Sequence, residues 1–134
     1  MVFNNEQENR PDRMAGFTYK LKGVPNGQGE LITAYITINN SDKTGKPFEL
    51  FINGYDSSLY EWLSLSMVLI SRLLRFGVDA KDIVSDLRQI HSASGSHVVP
   101  GKGMSPSLAS RIGDILEEHV LLTGDKENIS EQEE

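Results

Sequence analysis

Hydrophobic positions in the first half of the chain recur at every second residue. In GFTYKLKG (16–23), Phe17, Tyr19 and Leu21 fall on one face and Thr18, Lys20 and Lys22 on the other. In ELITAYITINN (30–40), Ile32, Ala34, Ile36 and Ile38 oppose Thr33, Tyr35 and Thr37. In KPFELFING (46–54), Phe48, Leu50 and Ile52 oppose Glu49, Phe51 and Asn53. Alternation carried by β-branched and aromatic residues marks half-buried strands. The connectors VPNGQG (24–29) and NNSDKTG (39–45) hold turn-forming residues. The pattern predicts a three-stranded antiparallel meander, with Tyr35 and Phe51 on its outer face.

The period then changes to that of a helix. SSLYEWLSLSMVLISRLLRFG (57–77) is apolar on more than one face, as expected of a helix buried centrally or shared with a second chain, and Gly77 is placed to stop it. VDAKDIVSDLRQIH (78–91) opens on Asp79 as N-cap, with Asp82 favourable in the first turn. A third helix, with Ser105 as N-cap and Pro106 at its first position, carries Leu108, Ile112, Ile115, Leu116 and Val120 and is expected to end near Gly124. The order βββααα predicts an α+β domain with the helices on one sheet face.

Composition narrows the possibilities. The chain has 134 residues, enough for one domain, and 38% are hydrophobic. Residues 1–13 and 124–134 are poor in apolar side chains and are expected to be flexible tails flanking a core at 14–123. The net charge of −6 argues against broad DNA or RNA binding, which needs a clustered basic surface. With no cysteine, thiolate catalysis, disulfides and cysteine-based metal sites are excluded. No apolar run is long enough to span a membrane and no signal-peptide pattern is visible, so a soluble cytoplasmic protein is expected.

Candidate chemistry concentrates in HSASGSHVVPGKGMSPS (91–107). Gly101, Lys102 and Gly103 followed by a helix start at Ser105 are the parts of an anion site: mobile backbone amides, one ammonium and a dipole end. The spacing departs from a Walker A loop, because Lys102 is followed by Gly103 and the preceding element is a helix. The alternative is a plain helix connector using glycines for turns. His97 could close over a ligand. His91, His97 and His119 lack the spacing and acidic neighbours of a metal site. No nucleophile elbow or orienting acid supports catalysis. Arg72 and Arg75, one turn apart in an apolar helix, require anionic partners: either an intrachain carboxylate such as Asp79 or Asp86, or a ligand phosphate.

The runs RPDRMAGFTYKLK (10–22), AYITINN with GKPFELFI (34–52), LISRLLRFGVDAKDIVSDLRQI (69–90) and MSPSLASRIGDIL (104–116) resemble the TSCPD domain. That domain is found at the C-terminal end of adenosylcobalamin-dependent ribonucleotide reductases and as free-standing proteins. The cysteines of the family are missing here, both at Met104–Ser107 and near Ser92. The resemblance therefore implies an accessory or binding module without reductase activity.

Together these readings predict a non-catalytic, homo-oligomeric module without a cofactor. Its expected ligand is a phosphate-bearing small molecule, in the finest reading a nucleotide, held by Arg72, Arg75, His97, Gly101, Lys102, Gly103 and Ser105. The rival readings are a protein-interaction module docking on a ribonucleotide reductase or another enzyme, and a hydrolase using His97 and the loop serines.

Overall fold

The structure, a computed structural model, describes residues 8–26, 28–54 and 60–133, with side chains described as far as Gly124. Three strands, β1 (Gly16–Pro25), β2 (Leu31–Asn40) and β3 (Pro47–Asn53), form an antiparallel sheet in the order β1-β2-β3. Tyr19 pairs with Ile36, and Ile36 with Ile52, so the apolar face runs across all three strands. Opposite them, Tyr35 and Phe51 are exposed as the alternation requires. The α+β class and the strand order follow the hydrophobic pattern closely.

Helix α1 (Tyr60–Arg75) runs against β3. Residues 57–59 of the expected helix lie outside the described residues. α1 is not buried all round: it presents Met67, Ile70, Ser71 and Leu74 inward and leaves the opposite side open. It stops as its sequence requires. Gly77 N–H bonds to Leu74 O and Val78 N–H to Leu73 O, the paired closure of a glycine-terminated helix. Asp79 caps α2 (Ala80–Arg88), its Oδ1 accepting from Lys81 N–H at 3.0 Å.

Two further strands were not expected. β4 (His97–Val99) and β5 (Gly103–Ser105) form a separate hairpin within the glycine-rich stretch. The helix start is corrected too. α3 begins at Leu108, and its cap is Ser107, whose Oγ accepts from Ser110 N–H at 3.0 Å. Ser105 sits two residues too early: it ends β5 and spends its hydroxyl on Ser107 O. α3 also runs through Gly124 to Glu133.

α2 and α3 pack as a pair over the sheet, and one core joins Leu21, Ile36 and Leu50 to Ile70, Ile83 and Leu116. Both outer strands of the sheet are met by side chains. On β3, Ser71 Oγ accepts from Leu50 N–H at 3.0 Å and lies 3.4 Å from Leu50 O. On β1, Arg111 donates to backbone carbonyls. The expected N-terminal tail is partly tied down: Arg10 reaches Glu49, and Glu8 accepts from Ser41 Oγ at 2.6 Å.

Candidate functional site

A bulge in β1 sets up the site. Leu21 pairs with Ala34 and Val24 with Ile32, so Lys22 and Gly23 together face Thr33. Gly23 adopts φ 66°, and a Cβ there would stand 3.2 Å from Pro100 Cδ. The glycine thus lets the strand kink and lets the β4–β5 hairpin close on it. The bulge leaves two carbonyls for a side chain to meet. Arg111, in the first turns of α3, donates from NH2 to Lys22 O at 2.8 Å and from NH1 to Gly23 O at 3.5 Å.

Arg111 is 6% exposed. Among the described residues no carboxylate lies within 4.0 Å of its guanidinium. Burial lowers its pKa, and the charge of Asp114 offsets part of that. His97 Nε2 lies 3.5 Å from Arg111 NH1, and the His97 pKa is lowered by burial and by the Arg111 charge.

Around this guanidinium is a cavity of about 190 Å³. Lys20 and Lys22 come from β1, Lys102 from the hairpin tip and Arg111 from α3, while among the described residues Asp114 is the one carboxylate in its wall. Val99, Pro100 and Met104 give it an apolar side. Lys102 Nζ is 3.9 Å from Glu118, a loose pairing that leaves the ammonium largely in solvent.

The predicted ligand residues divide over the molecule. Val99 to Lys102 form a tight turn, with Lys102 N–H bonded to Val99 O at 3.0 Å, Pro100 at the second position and Gly101 at φ 77° in the third. Gly101 and Gly103 therefore serve hairpin geometry, and the Lys102 amide is already used. His97 is a strand residue, paired with Ser105. Of the predicted set, Lys102 and Ser105 line the cationic cavity.

Arg72 and Arg75 line a different groove of about 510 Å³, with Phe51, Tyr60 and Val68. Arg75 does have an intrachain partner, but it is Glu49, at 3.3 Å, and not Asp79 or Asp86. Its guanidinium also lies 4.8 Å from the centre of the Phe48 ring, while its buried Nε has no hydrogen-bond partner among the described residues. Glu49 is fully buried, shared by Arg10 at 3.0 Å, Arg75 and Asn39. Burial pushes the Glu49 carboxyl up, but hydrogen bonds from Arg10 and Asn39 and both guanidinium charges outweigh this and hold it below its usual value. This is a structural ion cluster.

Arg111, Lys20 and Lys22 line this cavity but are not among the ligand residues expected from the sequence. A usable signal existed: Arg111 interrupts the short, small and apolar opening SLASRIG (107–113), and Lys20 and Lys22 share one strand face. Among the described residues no group of three or more His, Asp or Glu could hold a metal ion, and no helix is long and apolar enough to cross a membrane.

Comparison with known proteins assigns most of the chain to one family. The family model for the TSCPD domain matches residues 6–120, from the segment that carries Arg10 to the third turn of α3 and beyond. No curated protein and no solved structure matches the chain. The chain belongs to the TSCPD domain family, and is thereby a ribonucleotide-reductase-related domain that lacks cysteine.

Proposed function

We propose that this TSCPD domain is a non-catalytic binding module whose ligand presents a phosphate group to the cavity at the β1 bulge. One observation carries the reading: Arg111 is almost fully buried, has carbonyls and a histidine but no carboxylate as hydrogen-bond partners among the described residues, and faces a cavity shared with three lysines. A buried guanidinium without a carboxylate is costly until an anion reaches it. Arg111 would supply a fixed, planar pair of donors, and Lys20, Lys22 and Lys102 a mobile cationic rim.

The cavity is smaller than the several hundred Å³ that usually enclose a whole ligand. It therefore takes an anionic head group, with the remainder lying against Val99, Pro100 and Met104. A nucleotide fits this division, phosphate inward and base or sugar on the apolar wall. The phosphate-binding role assigned from sequence to Arg72 and Arg75 passes in this reading to Arg111, Lys20 and Lys22, with Lys102 retained.

Calorimetric titration with inorganic phosphate, nucleosides and nucleoside mono-, di- and triphosphates tests it. Nucleotides should bind, nucleosides should not, and Lys22→Glu should abolish the heat while leaving the fold intact. Binding should weaken as salt rises. Stabilisation at a hundredfold excess over the dissociation constant should reach about 2.7 kcal/mol. Absence of binding across the panel would overturn the proposal and favour docking on a protein partner.

A further inference from the structure

α1 carries a second surface, independent of the cationic cavity. Opposite its buried face, Trp62, Leu65, Leu69 and Leu73 are 66%, 48%, 55% and 41% exposed. They recur at intervals of three and four residues, the spacing of a seam that packs against another helix. Such a run of large apolar side chains on one helix marks an interaction surface.

The charges on the same helix identify the partner. Within Tyr60–Arg75 the ionisable acids and bases are Glu61 in the first turn and Arg72 and Arg75 in the last. Glu61 and Arg72 are eleven residues apart, close to three full turns, and so lie on the same flank of the apolar stripe. When two helices pack antiparallel about a two-fold axis, each flank meets the same flank of the other helix. Glu61 of one copy then stands opposite Arg72 of the other, and the reverse contact follows by symmetry. Leu65 opposite Leu69 centres the axis at the level of residue 67, and Glu61 opposite Arg72 and Trp62 opposite Leu73 centre it half a residue to either side. The three pairings thus agree on one register to within half a residue. A parallel pairing would bring the arginine-bearing ends together instead.

We infer that α1 forms the interface of a two-fold dimer, in which a second copy of this chain lays its own α1 antiparallel across Trp62, Leu65, Leu69 and Leu73. The aromatic and the leucines supply the buried area, and the Glu61–Arg72 contacts at each end set direction and register. The inference is separate from the phosphate proposal, since none of these residues lines the cationic cavity.

Sedimentation equilibrium on the full chain, from low to high micromolar concentration, tests it. The wild type should dimerise. Leu69→Glu should be monomeric at the same concentrations with an unchanged circular dichroism spectrum, and Leu65→Glu should behave likewise. Glu61→Arg should weaken dimerisation severalfold, and the exchange Glu61→Arg with Arg72→Glu should restore it. A wild type that stays monomeric, including one that instead captures a different protein, overturns the inference. So does a dimer that survives Leu69→Glu, or a charge exchange that leaves the pair as weak as Glu61→Arg alone.

Discussion

The Tyr19 hydroxyl donates to Nδ1 of His119 at 2.7 Å, joining β1 to α3 across 100 residues of sequence. On the other side of the ring, Nε2–H donates to Asn40 Oδ1 at 2.7 Å. Phe17 closes the edge of the ring at 5.7 Å between centroids. Burial and the charge of Glu118 push Tyr19 up to about 12, so it stays a donor, while burial brings His119 down to about 4. Both ring nitrogens are hydrogen-bonded in the neutral ring, and a proton on Nδ1 would cost the bond that the Tyr19 hydroxyl donates to it.

Acid should therefore act through His119. The unfolded chain takes up this proton near pH 6.5, whereas the folded protein resists until about 4. Stability from this group is complete above 6.5, falls as the pH drops through that window, and is gone below about 4. The window corresponds to roughly 3 kcal/mol. Urea midpoints measured from pH 4 to 7 should slope upward with pH, and His119→Gln should flatten the slope. Glu49, held below its usual value, should add a second loss at lower pH that His119→Gln leaves in place.

Glu49→Gln should destabilise the protein by about 2 kcal/mol, because Arg75 is left half-buried with its counter-charge removed. The cost falls short of that of a fully enclosed pair, since Arg10 can turn back into water. Arg10→Ala should cost less than Glu49→Gln. Chemical denaturation at neutral pH checks both.

Ser71→Ala should cost about 1–2 kcal/mol by the same measurement, since it leaves the Leu50 amide buried without an acceptor. Ser66 is the control. It also bonds a carbonyl, Trp62 O at 2.9 Å, but in an exposed position, and Ser66→Ala should be close to neutral.

The helix pair depends on a close approach at Gly113. A Cβ there would stand 3.2 Å from Leu87 Cβ and 3.4 Å from Val84 O. Gly113→Val should destabilise by about 1–3 kcal/mol through overpacking, despite the better helix propensity of valine over glycine. Thermal unfolding should show the loss as a lower midpoint.

What was legible in the sequence was local. The alternation around Ile36 fixes β2, and Gly77 and Asp79 mark where α1 ends and α2 begins, each through a contact within a few residues. The hairpin escaped notice because HVV and GMS are three residues each, too short to show a period. Arg111 escaped because its acceptors exist only once the β1 bulge turns two carbonyls toward α3, a relation over 89 residues for Lys22. Glu49 is a similar case. It alternates with Phe48 and Leu50, yet it too is buried, because Arg10 and Arg75 from α1 close over it. Of the residues expected to hold a ligand, Lys102 and Ser105 line the cavity at the β1 bulge, while its most deeply buried cation, Arg111, comes from a helix whose period reads as ordinary core.

The side chains that meet β1 and β3 also govern how copies of this protein can come together. An unguarded outer strand invites a strand from another molecule to extend the sheet, the route to open-ended aggregates. Here Ser71 occupies the Leu50 amide, and Arg111 with the hairpin covers the kinked end of β1. Strand addition is hindered at both places, which leaves the exposed helix faces, and not the sheet edges, as the surfaces open to a second copy.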